Sequence, residues 1–310
     1  MTRIRVSDDE NATLAVRVRR ALGVSHREAR ELIASQRVLV DGRPATDPAR
    51  RPGSGAEIEI VPPRPTRAGR TIAGPGFRVV HLDRDLVAID KDPGVVVVPT
   101  GSPDDDDVPL VARVIAALGL AGHRADALWV VHRIDRETSG LVLFARRERA
   151  YHRLRRAFRT RRPVREYLGI TAGIPAEQAG ELSGWLHEDP RTHRVTALSR
   201  PVEGAVNART LYRVLARRAR PPRALVRFRL VTGRRNQIRA QAAAAGWPLV
   251  GDRWYGAGDR GPGRAALHAA RLEIPAAALG RRGPLVLEAP LPSDLGRLVR
   301  RWFPDQDTKP

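Results

Sequence analysis

Apolar positions along the chain fall into two regimes, separated by a stretch that has few of them. Up to about residue 61 the spacing is that of a small unit. Leu14, Val16, Val18 and Leu22 follow a loose helical spacing. Ala29, Leu32 and Ile33 share one face of a second helix, opened by Ser25 and Glu28 at the separation of a capping box. "VLVDGRPA" reads as a strand running into a tight turn at Asp41-Gly42, and "AEIEIV" alternates as a closing strand. Residues 62–76, "PPRPTRAGRTIAGPG", are rich in Pro, Gly and Arg and read as an extended linker.

From Phe77 the pattern changes. "FRVVHLDRDLVAIDKDPGVVVVPT" predicts three short strands broken at "DRD" and "KDPG". "VPLVARVIAALGL" predicts a helix, while "WVV", "LVLFA", "EYLGIT", "RTLYRVL" and "ALVRFRLV" predict strands. Two more helices are expected over "RERAYHRLRRAFRTRR" and "RRNQIRAQAAAAG", the second ended by Gly246. Many strands with interspersed helices, and no regular strand–helix alternation, predict an α+β domain with a mixed, largely antiparallel sheet over residues 77–304. Residues 305–310 read as a loose tail.

Charge narrows the partner. Among 310 residues the formal net charge is +21, which predicts attraction to a polyanion, most simply nucleic acid. Lysine occurs only at Lys91 and Lys309, so the excess is carried by arginine, suited to two-toothed phosphate contacts. No basic amphipathic helix with a bulky apolar face points to a membrane surface. The chain has no cysteine, which removes disulfides, thiolate metal sites and cysteine nucleophiles and fits a reducing compartment. The opening "MTRIRVSDDENATLAV" lacks an apolar core of signal-peptide length, and no run approaches a membrane span, so a cytoplasmic protein is expected.

The stretch with the strongest chemical interest is "HRIDRETSGLVLFAR", residues 132–146. Asp135 lies between Arg133 and Arg136, in a loop between the apolar "WVV" and "LVLFA". A carboxylate flanked by arginines is commonly a surface ion pair worth little. Strands on both sides would instead hold it with little freedom, as a site residue is best held. "TSG" adds hydroxyls and a flexible turn. The residues alone leave these alternatives open. Two other charged runs read more simply. "DDDD" at 104–107 precedes a helix, where acids complement the N-terminus. Residues 146–162 hold nine Arg and one Glu, either a solvated face or an RNA backbone track.

Two resemblances then organise these motifs. Over about residues 12–61, a helix pair followed by a small hairpin, with "GVSHREARELIASQRVLVDGRPA" at its centre, resembles the αL RNA-binding module of the small-subunit ribosomal protein S-four type. That resemblance implies phosphate contacts by Arg27, Arg30 and Arg37. "HRIDRETSGLVLFAR" resembles the catalytic signature of the ribosomal large-subunit pseudouridine synthase A family, with Ile134 in place of the family leucine. "LVAIDKDPGVVVVPT", "VREYLGITAG", "LVTGRRNQIRAQAAAAGWPLVGDRWYG" and "ALHAARLEIPAA" resemble further family stretches in the expected order, so the resemblance covers about residues 77–303.

The family resemblance implies an RNA pseudouridine synthase most suited to large-subunit ribosomal RNA, with transfer RNA as another candidate. It implies that Asp135 attacks the target uridine, that Tyr167 stacks on the flipped uracil and helps remove the carbon 5 proton, and that Arg239 pairs with Asp135 and keeps it ionised. Arg133 would enter the space the uridine leaves, with His132 beside it on the RNA. Neither cofactor nor metal is implied, and a monomer is expected. Asn236 departs from the family histidine, which leaves the contacts at that helix start open. The competing reading is a non-catalytic RNA-binding or ribosome-assembly protein derived from a synthase. The intact Asp135, Tyr167 and Arg239 argue against it.

Overall fold

The computed structural model describes residues 2–5, 12–22, 26–34, 38–60, 72–99, 107–120, 128–256 and 261–305. Two compact units emerge, Met1–Thr71 and Ile72–Pro310. In the first, the elements are β1 (Thr2–Arg5), α1 (Leu14–Leu22), α2 (His26–Ala34), β2 (Val38–Val40), β3 (Arg43–Pro44) and β4 (Glu57–Ile60). The sheet order is β1-β4-β2-β3, antiparallel throughout. Leu14, Val18, Ala29 and Ile33 from the helices meet Val38, Val40, Ile58 and Ile60 from the sheet in one small core. Asp41 and Gly42 both take positive φ, 52° and 74°, as a two-residue hairpin turn requires. The capping residue Ser25 lies outside the described residues, as does Arg37.

The second unit continues with β5 (Ala73–Gly74), β6 (Phe77–Leu82), β7 (Leu86–Lys91), α3 (Leu110–Ala117), β8 (Trp129–Val130), β9 (Ser139–Ala145), α4 (Glu148–Arg159) and β10 (Val164–Ala172). Then come β11 (Ala179–Glu188), β12 (Val195–Leu198), β13 (Val206–Arg218), β14 (Arg223–Leu230), α5 (Gln237–Ala244), β15 (Leu267–Ile274), α6 (Ala276–Leu279), β16 (Leu285–Glu288) and α7 (Ser293–Trp302). One sheet runs β12-β11-β13-β14-β10-β15-β9-β7-β6-β5, with β16 also paired to β15 and β8 to β9. Its pairings are antiparallel except β15 with β9, so the expected mixed, largely antiparallel sheet is present.

Two sequence expectations change here. The linker read over 62–76 is shorter at its end, because Ala73–Gly74 pair with β6 and belong to the second unit. The third strand expected at "VVVVPT" does not form. The carbonyls of Val96 and Val97 instead accept the N–H groups of Leu110 and Val111 at the start of α3, while Val95, Val96 and Val97 are buried. The backbone thus satisfies a helix terminus rather than a sheet ladder.

Strand β9 explains why a charged loop runs into an unbroken apolar stretch. All of its residues are buried. Val142 and Phe144 enter the core that holds Ile89, Tyr167, Phe228 and Ile238, whereas Leu141, Leu143 and Ala145 enter another with Leu154 of α4. A strand covered on both faces needs apolar residues at every position. At its start, Ser139 and Gly140 meet His268 and Ala269 across the parallel junction. Gly140 has φ 107°, and a Cβ there would collide with the Ala269 backbone. Glycine is required at this position both for backbone conformation and for close approach.

Helix α5 is buried on nearly every side, and its small alanines permit this. Its buried polar groups are matched. The Gln237 amide bonds Thr232, Thr210, the Arg209 carbonyl and the Arg234 N–H, and Gln241 bonds Thr210 and the carbonyls of Leu182 and Ala208. No helix among the described residues is long and apolar enough to cross a membrane.

Candidate active site

Residues 131–138 form the loop between β8 and β9, and Val131 to Asp135 with Thr138 border a cavity of about 760 Å³. Asp135, Tyr167, Arg133 and His132 line it together with Ile238, Thr138, Arg161 and Arg165. The loop is fastened from below. Lys91 Nζ donates to the Arg136 and Asp92 carbonyls at 3.0 and 2.9 Å. Arg264 donates to the Glu137 carbonyl at 3.1 Å and to Ser139 Oγ at 3.3 Å, while Asp294 holds its other side at 2.8 Å. Burial pushes the Lys91 ammonium down to about 7. His268, pushed down to about 4 by burial, accepts the Ser139 hydroxyl at 2.9 Å and donates to the Ala289 carbonyl. Cations and backbone carbonyls thus set the height and direction of the loop.

Asp135 makes no ion pair among the described residues. Its Oδ1 accepts the Asn236 N–H at 3.4 Å, at the N-terminus of α5, where the helix dipole favours negative charge. Burial pushes its carboxyl above the ordinary aspartate value; Arg239, the Asn236 N–H, Arg133 and Arg235 pull the other way. Asn236 has φ 50° and ψ 20°, a left-handed conformation that Asn tolerates better than most residues. Its side chain accepts from Arg239 at 3.1 Å and donates to the Tyr255 hydroxyl at 3.4 Å. These are the contacts left open by the change from the family histidine.

Arg239 corrects an expectation. It does not pair with Asp135. Its guanidinium is buried and two-toothed on Asp252, at 2.7 and 2.8 Å, with Tyr255 stacked at 5.1 Å. Asp252 also accepts the Trp254 and Tyr255 N–H groups. Burial opposes the Arg239 charge, but the Asp252 hydrogen bonds and charge outweigh it and push its pKa up. Arg239 therefore acts on Asp135 as a fixed charge behind the wall, and net burial still leaves the Asp135 carboxyl raised rather than lowered.

The other expected residues are placed as follows. Tyr167 comes from β10, is 7% exposed, and has its phenol pushed up to about 12 by burial. It is protonated at neutral pH. His132 stacks on Phe158 with ring centres 4.7 Å apart, and its Nε2 accepts the Leu143 N–H at 3.1 Å. Burial pushes it down to about 3. A neutral imidazole with that nitrogen occupied is a wall element, not a cation for phosphate. Arg133 is exposed on the rim. In the first unit Arg30 is exposed on α2; Arg27 lies on α2 with its side chain outside the described residues, like the whole of Arg37. Asp104 to Asp106 also lie outside the described residues, and Asp107 pairs with Arg136 at 2.6 Å.

Sequence reasoning missed Asp252, Lys91, Arg264 and Arg165. Lys91 had a signal: it is one of two lysines in a chain rich in arginine. Arg165 is the second residue of β10, reached from the end of α4, where the chain leaves the helix through Arg161 at φ 57°. The Arg161 N–H reaches the Phe158 carbonyl and the Arg162 N–H reaches that of Ala157. This is a helix end that normally holds glycine, and a side chain there costs about 1–2 kcal/mol.

With this geometry in place, similarity to known proteins gives the family. The family described as RNA pseudouridylate synthase matches residues 85–244, and the S4 domain matches residues 14–58. An RNA pseudouridine synthase of Chloroflexus aurantiacus is 34% identical over 285 residues, 90% of this chain and 85% of that one. Ribosomal large subunit pseudouridine synthase D of Haemophilus ducreyi is 33% identical, covering 72% of this chain and 70% of its own. The dual-specificity RNA pseudouridine synthase RluA of Pasteurella multocida is also 33% identical, over 69% of this chain and 90% of its own. Among solved structures, human RNA pseudouridylate synthase domain containing 4 superposes with a TM-score of 0.58 at 26% identity, over 72% of this chain and 92% of that one. The chain belongs to the RNA pseudouridylate synthase family and carries an S4 domain at its N-terminal end.

Proposed function

We propose that this protein isomerises uridine to pseudouridine in large-subunit ribosomal RNA, with Asp135 as the group that attacks the target nucleotide. The carrying observation is the state of Asp135. It is a carboxylate with no ion pair among the described residues, facing a cavity and held by a backbone N–H at a helix start. A structural aspartate at such a depth would have a partner. The volume, about 760 Å³, lies within the roughly 300–1,000 Å³ usual for a small ligand, which suits one extruded nucleotide.

The reaction breaks the bond from uracil N1 to the ribose, turns the base, and rejoins it through carbon 5, with the carbon 5 proton ending on N1. Nothing is oxidised or hydrolysed, so the conversion balances without a cofactor. Tyr167 offers a ring face to the extruded uracil. Its raised phenol supports stacking and does not support a role as base. Arg239 holds its charge near Asp135 through Asp252, and Arg133, exposed on the rim, fills the space in the RNA that the uridine leaves. Arg27, Arg30 and Arg37 supply phosphate contacts in the first unit. The ribosomal target follows the name of the Haemophilus ducreyi relative, and transfer RNA is the second substrate class. The protein works as a cytoplasmic monomer in this reading.

The test is a pseudouridine map of ribosomal and transfer RNA after incubation with purified protein or its Asp135→Asn variant. Wild type should add pseudouridine at a defined ribosomal position. The variant should fall to background while retaining its RNA affinity, because the arginines are untouched. Equal modification by the folded variant removes Asp135 as the attacking group.

A further inference from the structure

The cavity has a second wall whose charge nothing among the described residues answers. Arg159, Arg161 and Arg165 all border the cavity, and none of them has an acidic partner among the described residues. The contrast lies within α4 itself. Arg147 just before the helix, and Arg149 and Arg153 in its first half, share Asp85, at 3.6 to 3.9 Å, whereas Arg159 and Arg161 have no such acid among the described residues.

Arg165 is the best built of these. Its guanidinium lies over the Phe158 ring at 5.9 Å, and that ring is held on its other contact by His132. Its Nε is buried and has no hydrogen-bond partner. A Cβ on Gly233 would collide with the Arg165 Nη1 atom, so glycine at that position makes room for the guanidinium. Arg161 and Arg165 repel one another, which is unfavourable for the empty protein. The left-handed backbone at Arg161 turns the chain so that both residues border the same space. A desolvated guanidinium that is stacked, given room, and denied a carboxylate is arranged for an anion from outside.

We propose that Arg165, with Arg161 and Arg159, forms a phosphate subsite that holds a backbone phosphate of the RNA strand next to the uridine in the cavity. The proposal rests on the isomerase reading for the identity of the strand. The charges that act on the Asp135 carboxylate are Arg239, Arg133 and Arg235, whereas the Arg165 charge acts on Tyr167 and His132 of the cavity wall. Its effect belongs to binding and register, as phosphate contacts position a strand without reading its sequence.

The experiment uses the full chain and a large-subunit ribosomal RNA transcript. Affinity, its salt dependence, KM and kcat are measured for wild type, Arg165→Gln, Arg165→Lys and Arg161→Gln. Arg165→Gln should raise Kd and KM about tenfold, leave kcat within about twofold, and make the salt slope shallower by about one. Arg165→Lys should recover part of the affinity. Arg161→Gln, at an exposed position, should weaken binding in the same direction and cannot be dismissed as misfolding. Unchanged Kd and salt slope in both glutamine variants overturns the subsite, as does a fall in kcat with Kd intact. The two readings fail separately. If wild type makes no pseudouridine but the glutamine variants lose affinity and salt slope, the subsite stands and the isomerase reading falls. If pseudouridine forms at wild-type Kd in the variants, the reverse holds.

Discussion

The α5 wall and the α4 wall of one cavity follow opposite rules. On the α5 side Arg239 is closed onto Asp252, Gln237 and Gln241 are hydrogen-bonded, and Asn236 is bonded on both faces of its amide. On the α4 side Arg165, from the start of β10, packs over Phe158 with no acidic partner among the described residues, and Arg161 sits in a backbone conformation usually left to glycine. Buried polar groups persist when partnered and are costly when not. The first wall is finished by the protein and serves to hold Asp135. The second is finished only by what binds.

The sharpest way to break this comparison is to open the finished wall. Asp252→Ala leaves Arg239 buried without its partner, together with two N–H groups that Asp252 had accepted. Removing one member of a buried pair costs about 3–5 kcal/mol, so denaturant unfolding should show a loss of that order. A loss under 1 kcal/mol would mean that the pair is replaceable by water, and the two walls would no longer differ in kind. Next in size is the backbone junction beneath both walls. Gly140→Ala demands a Cβ where the Ala269 backbone lies, at φ 107°. We expect a loss of about 2–4 kcal/mol, as strain and overpacking combine. Activity should fall with it, since the Asp135 loop enters β9 at this residue. A stable and active variant would show that the junction yields.

Asp135 gives a comparison within one residue, between stability and function. Burial raises its carboxyl in the folded protein relative to the unfolded chain. The folded state then holds the proton to higher pH, and the ionised form at neutral pH is a net cost to folding. The stability of Asp135→Asn relative to wild type should therefore rise as pH climbs from the ordinary aspartate range through the raised value, and the difference should vanish in acid. His132, common to both proteins, cancels in that difference. Activity runs the other way: it should be lost as pH falls through the same raised value. Parallel melting curves and rate profiles check both signs, and an acid limb at the ordinary aspartate pKa contradicts the burial argument.

The sequence made much of this legible, but unevenly. The β9 run and the turn at Asp41-Gly42 carry local chemistry that has one good structural answer, so both were read from residues alone. The strand expected at "VVVVPT" failed because its carbonyls cap α3, a demand set by tertiary contact and invisible in a run of valines. Strands β11 and β12 went unread because β11 alternates weakly, half exposed and interrupted by glycine. Asp135 and Tyr167 were found through motif resemblance, and the cavity brings them together. The partner of Arg239 was misread because the resemblance implied Asp135, whereas Asp252, 13 residues further along the same motif, is the carboxylate that the folded backbone brings to the guanidinium.

The smallest effect tests the unfinished wall in the absence of RNA. Arg165→Met removes a partly buried charge that has no acidic partner among the described residues and keeps a flexible apolar stem over Phe158. Truncating a member of a satisfied wall destabilises, whereas removing an unanswered cation relieves desolvation and its repulsion with Arg161. The variant should unfold within about 1 kcal/mol of wild type, on the more stable side. Raising salt should narrow the difference, because screening relieves the same repulsion in the wild type. A loss of 2 kcal/mol or more would show that Arg165 has a structural partner after all, and the α4 wall would then be as closed as the α5 wall.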